Sequence, residues 1–234
     1  MKTKPDKTSK EMLLNQNNIA VGDDPKANTL GDLQLFKMLL QPHFLFNSLN
    51  NLYALSVSKS DRTADAIAGL SGMLEKVVSC ARQDKITLAD EVDLIKDYIR
   101  LEEIWLGATS MLVDFQVSGD IDSVKIPPLV LYTFVENCFK HGIRKCGGDG
   151  WLKIKLRVKN GKVFFSTRNM VPDWEMEETS QGDHKGFGID AVKELLKKSF
   201  GDNYLLNNGL DKKTYCVDLE IDTNNMLSTN QKNK

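Results

Sequence analysis

The sequence predicts an α+β protein in which a helical hairpin precedes a layered domain of helices and sheet. Three observations carry that expectation. Apolar residues recur at spacings of three and four within residues 33–84, the pattern turns to alternation beyond Gly107, and an Asn160-Gly161 pair separates two alternating runs. The 234 residues, 41% of them hydrophobic, are enough for one substantial core or two modest ones. A formal net charge of −1 offers no global attraction to nucleic acid or to an anionic membrane. No direct nucleic-acid partner is therefore expected, and any polyanion must be met by a local cluster.

Residues 1–32 are rich in Lys, Asn and Asp with little apolar periodicity, so burial cannot offset ordering entropy and a disordered arm is expected. Within 33–84, Leu35, Leu39, Pro42, Phe46, Leu49 and Tyr53 form one helical seam. Ile67, Leu70, Leu74, Val77 and Ala81 form a second after the polar break Ser58-Lys59-Ser60-Asp61. Two such helices bury too little alone, and pairing with a second copy into a four-helix bundle is the natural remedy.

Residues 85–222 open with a connecting helix, Leu88 to about Leu106, which Thr87 and Asp90 begin in capping-box style with Glu91 beside them. Strands are expected at Leu112–Val117, Trp151–Lys159, Lys162–Thr167 and Thr214–Ile221, with Asn160-Gly161 as a hairpin turn. Helices are expected at Leu129–His141 and Ile189–Phe200, and residues 223–234 read as a disordered tail. Cys80, Cys138, Cys146 and Cys216 are scattered without C-x-x-C spacing, which fits reduced core thiols. The chain contains no apolar run of about 18 residues and no signal-peptide pattern, so a cytoplasmic location is expected, with membrane attachment only through segments absent from it.

Three constellations carry chemistry. His43 stands in Gln41-Pro42-His43-Phe44-Leu45-Phe46-Asn47-Ser48-Leu49-Asn50, where Asn47 and Asn50 fall within roughly 40° of it on a helix surface. A neutral imidazole there is a competent nitrogen nucleophile, and Pro42 marks the preceding turn as a bend. The segment from Pro127 to Gly142 is apolar nearly all round except for a stripe of Thr133, Glu136, Asn137, Lys140 and His141. Oxygen donors beside cations on one face suit a Mg²⁺-polyphosphate. Finally, Gly186-Phe187-Gly188 precedes a helix, where backbone amides can approach an anion. With Ala191 the segment fits the dinucleotide fingerprint G-x-G-x-x-A, but the stretch before it, Thr179 to Lys185, reads as a polar loop where that fingerprint requires a strand, which disfavours it.

Together, QPHFLFNSLNNL, IPPLVLYTFVENCFKHGI and GFGIDAVKELL resemble the phosphoacceptor motif, N-box and glycine box of LytS/YehU-type sensor histidine kinases, in the same order and separation, over roughly Leu33 to Ile221. The resemblance implies a homodimer whose hairpins form the phosphoacceptor bundle, followed by a GHKL/Bergerat-type α/β sandwich that binds ATP with Mg²⁺. It implies His43 as phosphoacceptor, Asn137 as Mg²⁺ ligand, Lys140 and His141 as phosphate contacts, and Gly186 and Gly188 at the lid of the nucleotide site. The implied partner is a response regulator, in this family often one with a LytTR domain.

Departures from the family pattern are also visible. Asn169 in Thr167-Arg168-Asn169-Met170-Val171 replaces the carboxylate that accepts from the adenine amino group, Ala191 replaces an Asn, and Leu39 a Gln. Phe44 follows the histidine where many histidine kinases have a carboxylate, leaving Glu136 as the candidate base and Asn47 as the residue orienting imidazole or water. The alternative is a catalytically silent nucleotide-binding or dimerisation module that signals by conformation.

Overall fold

The computed structural model describes residues 42–107, 111–147, 149–172 and 187–224. The arm at 1–32, the upstream seam residues Leu35 and Leu39, and residues 225–234 lie outside them. Helices α1 (Pro42–Val57) and α2 (Thr63–Ala81) form the expected hairpin, reversing through a turn at Lys59, φ 50°. Helix α2 buries Ala66, Leu70, Met73, Val77, Cys80 and Ala81. The inward face of α1 is Phe44, Leu52 and Leu55. The face read as its seam is different: Phe46, Leu49 and Tyr53 are exposed, and Val57 of the same helix is exposed too, as are Ile67 and Val78 on α2. The hairpin thus has two apolar sides, and the described residues cover only the first.

Strand β1 (Ile86–Thr87) leads into α3 (Leu88–Leu106), whose capping box is present: the Thr87 hydroxyl accepts from the Asp90 amide at 3.0 Å and Asp90 Oδ2 accepts from the Thr87 amide at 3.0 Å. Gly107, φ 72°, ends the helix. Strand β2 (Leu112–Ser118) follows, then β3 (Lys125–Ile126), which pairs with β1. Helix α4 (Val130–His141) runs into a 3-10 turn at Ile143–Cys146. Strands β4 (Trp151–Lys159) and β5 (Lys162–Met170), helix α5 (Phe187–Phe200), and strands β6 (Tyr204–Asp211) and β7 (Thr214–Asp222) complete the fold.

The five-stranded sheet has the order β2-β4-β5-β7-β6, with β2 and β4 parallel and the other pairs antiparallel. Alternation decides its faces. Leu152, Ile154, Leu156, Val163, Phe165, Val217, Leu219 and Ile221 are buried in the core with α4 and α5 residues, while Lys153, Lys155 and Arg157 point the other way. Asn160 and Gly161, φ 52° and 69°, make the two-residue turn between β4 and β5. A side chain at Gly161 would collide with Asn224, which donates to the Asn160 carbonyl at 3.2 Å. The expected tail therefore begins docked: Thr223 also bonds the Gly161 carbonyl, at 2.6 Å.

Strand β6 was not expected. Its Asn207-Asn208-Gly209 reads as a turn, but an edge strand needs only one ladder and little burial, and β6 buries only Tyr204 and Leu206 in part. Strand β5 runs on to Met170, so Asn169 stands on a strand and not in a turn. A single cluster of buried side chains runs from Phe44, Leu70, Met73 and Val77 of the hairpin through α3 and α4 to the sheet and α5. Its largest members, Tyr98, Phe134, Phe139, Phe165 and Phe200, are fully buried, each contributing about 2–3 kcal/mol of transfer energy. Among the described residues no helix is long and apolar enough to cross a membrane.

Candidate nucleotide and phosphoacceptor site

Helix α4 carries most of the polar residues singled out by the sequence. Pro127 and Pro128 cannot extend it backwards, and Leu129 at its N-cap has φ 67° and supplies no side-chain cap. The first turn is met instead from α3, where Glu91 Oε2 accepts from the Tyr132 amide at 3.0 Å. Thr133 belongs to the helix itself: its hydroxyl donates to the Leu129 carbonyl at 2.7 Å, so it drops out of the polar stripe.

Glu136 is buried, and burial pushes its carboxyl up, with Lys140 and Arg144 opposing that shift and Glu102 adding to it. Asn137 and Lys140 are half-buried and His141 is exposed. The Nδ2 atom of Asn137 is buried and has no hydrogen-bond partner. A half-turn of the amide interchanges its nitrogen and oxygen, so this place suits either a donor to phosphate or an oxygen ligand.

Gly142 lets the end of α4 meet β5. A Cβ there would lie 2.6 Å from the Cys138 carbonyl oxygen, 2.8 Å from that of Met170, and against Asn169 Nδ2. Asn169 is 1% exposed, and its Nδ2 donates to the Met170 carbonyl at 3.0 Å. That bond fixes the amide and leaves Oδ1 buried and unpartnered, a fixed acceptor that an exocyclic amine would satisfy. Asn137, Lys140, His141 and Asn169 are thus gathered at the carboxyl half of α4 and the adjoining strand. Gly188 is buried in the first turn of α5, which packs on α4; Gly186 lies outside the described residues.

The oxygen-rich, weakly basic set of Asn137, Glu136, Lys140 and His141, with an unsatisfied amide, fits Mg²⁺ held mainly by phosphates. Sequence reasoning missed the ion pair that backs this region. Arg144, just after α4, clasps Glu102 of α3 with its Nε 3.0 Å from Oε2 and a second bond from its Nη2 to Oε1. Its guanidinium also lies 5.8 Å from the Trp105 ring centroid. A glutamate on an otherwise apolar helix face was the one signal in the sequence, and it names no partner.

His43 lies in the first turn of α1, its side chain outside the described residues. Phe44 beside it is buried, its ring 6.3 Å from those of both Tyr98 and Trp105 on α3. Tyr98 in turn meets Tyr132 and Phe139 of α4 edge-on, at 5.3 Å each. A continuous run of rings thus ties the turn bearing His43 to the helix bearing Asn137. Phe44, which looked in the sequence like a missing carboxylate, is an anchor. Asn47 is half-buried one turn further on, and Ser48 spends its hydroxyl on the Phe44 carbonyl at 2.8 Å.

The chain is similar in sequence to histidine kinases. Residues 32–109 match the family described as histidine kinase. Sensor histidine kinase BtsS of Escherichia coli (strain K12) is 23% identical over 187 residues, 80% of this chain and 32% of its own length. Sensor protein LytS of Bacillus subtilis (strain 168) is 27% identical over 169 residues, 72% of this chain and 26% of its own. The chain is a relative of the LytS-type sensor histidine kinases. It spans about a third or less of the length of these curated relatives. Among solved structures, the histidine kinase domain from Erythrobacter litoralis EL346 aligns with a TM-score of 0.46 at 14% identity, covering 83% of this chain and 93% of that one.

Proposed function

We propose that this chain is the kinase core of a two-component sensor, which uses Mg²⁺-ATP to phosphorylate His43 and passes the phosphoryl group to an aspartate of a response regulator, LytTR-type regulators included. In this reading the first turn of α1 is the phosphoacceptor segment and α4 the N-box helix. The observation that carries it is the pair of buried, unsatisfied amide atoms at Asn137 and Asn169, set on adjoining elements and tied through a run of rings to the turn of His43. Asn169 Oδ1 accepts from the adenine amino group, while Lys140 and His141 neutralise the phosphates. Mg²⁺, with Asn137 as its protein ligand, supplies charge neutralisation on the phosphate oxygens.

A ring nitrogen of His43 attacks the γ-phosphorus in line, the N–P bond forms as the bond to the bridging oxygen breaks, and ADP leaves. Catalysis is mostly alignment and charge neutralisation. Glu136, its carboxyl raised by burial, takes the imidazole proton, and Asn47 orients the ring or a water. The exposed stripe Phe46, Leu49, Tyr53 and Val57 supports a homodimer through a four-helix bundle. The core works in the cytoplasm, where ATP and the regulator are found.

A second reading, a silent nucleotide-binding or dimerisation module, is favoured by two features, the neutral acceptor Asn169 in place of a carboxylate and Ala191 in place of an Asn. The two separate on incubation with γ-labelled ATP and Mg²⁺ followed by an isolated receiver domain. The kinase takes up label and loses it to the receiver; a module binds nucleotide and stays unlabelled.

A further inference from the structure

Glu91 is a buried acid that the kinase mechanism leaves unused. It sits in the first turn of α3 beside the capping-box residue Asp90, but the two carboxylates have opposite fates. Asp90 is exposed and caps its own helix, while Glu91 is fully buried and turns to α4, 41 residues away in sequence. There its Oε2 accepts from the Tyr132 amide at 3.0 Å, and the amides of Leu129, Val130 and Leu131 also face the carboxylate. Oε1 makes no hydrogen bond of good geometry, so electrostatic attraction to these amides is its main compensation. Helix α4 has no cap of its own, with Leu129 at the N-cap position in the left-handed region.

We propose that Glu91 is a positioning residue for the nucleotide site: from α3 it clamps the first turn of α4, sets that helix along its axis, and so places Asn137, Lys140 and His141 against the phosphates. The inference rests on the reading of α4 as the nucleotide helix. It adds a route by which a shift of α3, which is continuous in sequence and packing with the hairpin, reaches that site. Ionisation matters to the clamp, because a carboxylate attracts four amides more strongly than a neutral carboxyl does. Burial raises the carboxyl of Glu91 to about 7, with the amides of Tyr132, Leu129, Val130 and Leu131 opposing, so the clamp weakens as pH falls through neutrality. The titratable groups facing it are Tyr132 on α4 and Cys80 on α2, itself close to Asp90. Both are raised above their ordinary values by burial and stay neutral in this range.

The test uses the whole chain with Glu91→Gln, which keeps an acceptor, and Glu91→Met, which keeps volume alone. Affinity for a non-hydrolysable ATP analogue with Mg²⁺ is measured by calorimetry from pH 5.5 to 8.5, with circular dichroism confirming the fold. Glu91→Met should bind about tenfold more weakly than the parent at pH 8.5, a loss of ~1.4 kcal/mol, and about threefold more weakly at pH 5.5. Glu91→Gln should bind about threefold more weakly than the parent at pH 8.5 and equally at pH 5.5; protonation of the nucleotide and of groups common to both proteins cancels in that ratio. Folded Glu91→Met binding like the parent, or a Gln-to-parent ratio constant with pH, overturns the proposal. If the parent binds no nucleotide, the nucleotide reading fails by itself and amide shifts decide the clamp. The backbone amide signals of Tyr132, Asn137 and Lys140 should shift together near pH 7 in the parent and not in Glu91→Gln. A fixed Tyr132, or one that moves without the other two, overturns it.

Discussion

Breaking the Glu102–Arg144 pair should be the most damaging single polar change in the domain. The Glu102 side chain is 1% exposed and that of Arg144 22%. Removing Arg144 as Met strands a carboxylate out of reach of water and should cost about 4 kcal/mol, within the range for uncompensated buried charge. Removing Glu102 as Met strands a guanidinium that water still reaches, and should cost about 3 kcal/mol, because partial exposure offsets some desolvation. Either loss is a large part of a typical stability of about 5–15 kcal/mol. The double variant leaves no charge unpaired and should lose markedly less than the sum, with a coupling energy of about 2 kcal/mol or more. Urea unfolding at 25 °C followed by far-ultraviolet circular dichroism measures all four corners of the cycle. Trp105 fluorescence should change in both Arg144 variants, since that guanidinium lies over the indole. A coupling energy below about 0.5 kcal/mol would show that the pair is a surface contact in solution and refute the reasoning.

Three other outcomes follow from single features. The carboxyl of Glu91 is raised from 4.5 to about 7, so its protonated form contributes stability that is fully present below pH 4.5 and lost as pH rises through 7. Glu91→Gln should therefore gain about 3 kcal/mol on the parent between pH 4.5 and 8, at ~1.4 kcal/mol for each pH unit separating the unfolded and folded values, and a difference that stays flat in paired urea titrations contradicts this. Gly142→Ala should fold but lose ATP affinity at least about tenfold, because its methyl displaces Asn169 from the end of α4; unchanged calorimetric affinity would separate Asn169 from adenine. Replacing Leu49 and Tyr53 by Lys should convert a dimer into a monomer by light scattering while leaving the α/β layers folded. A dimer that persists sinks the proposed bundle face.

Periodicity reached most of the architecture because strongly patterned segments declare their partners. Trp151–Lys159 alternates in sequence and in burial, and Asn160-Gly161 can hardly do anything but turn. Strand β6 escaped because an edge strand need not alternate, and its Asn-Asn-Gly imitates a turn. The α1 seam was legible as apolar but not as outward-facing, since a period fixes a face and not what covers it. Asn137, Lys140 and His141 could be found as a stripe on one helix. Glu91, Glu102, Arg144 and Gly142 could not, because their roles depend on contacts with other elements, some across more than forty residues. Phe44 gave the opposite lesson: the apparent loss of a carboxylate beside His43 is a packing requirement that appears only when α3 is in place.

The claim most open to direct attack is that the histidine of α1 receives the phosphoryl group. The chain and its His43→Gln variant, shown by calorimetry to bind Mg²⁺-ATP equally, are incubated with γ-labelled ATP, and the bound label is tested for stability in acid and base. The parent should carry label that is lost in acid and kept in base, as a phosphoramidate should be, and His43→Gln should carry none. Label that survives in His43→Gln, or a parent that binds nucleotide and remains unlabelled, contradicts it.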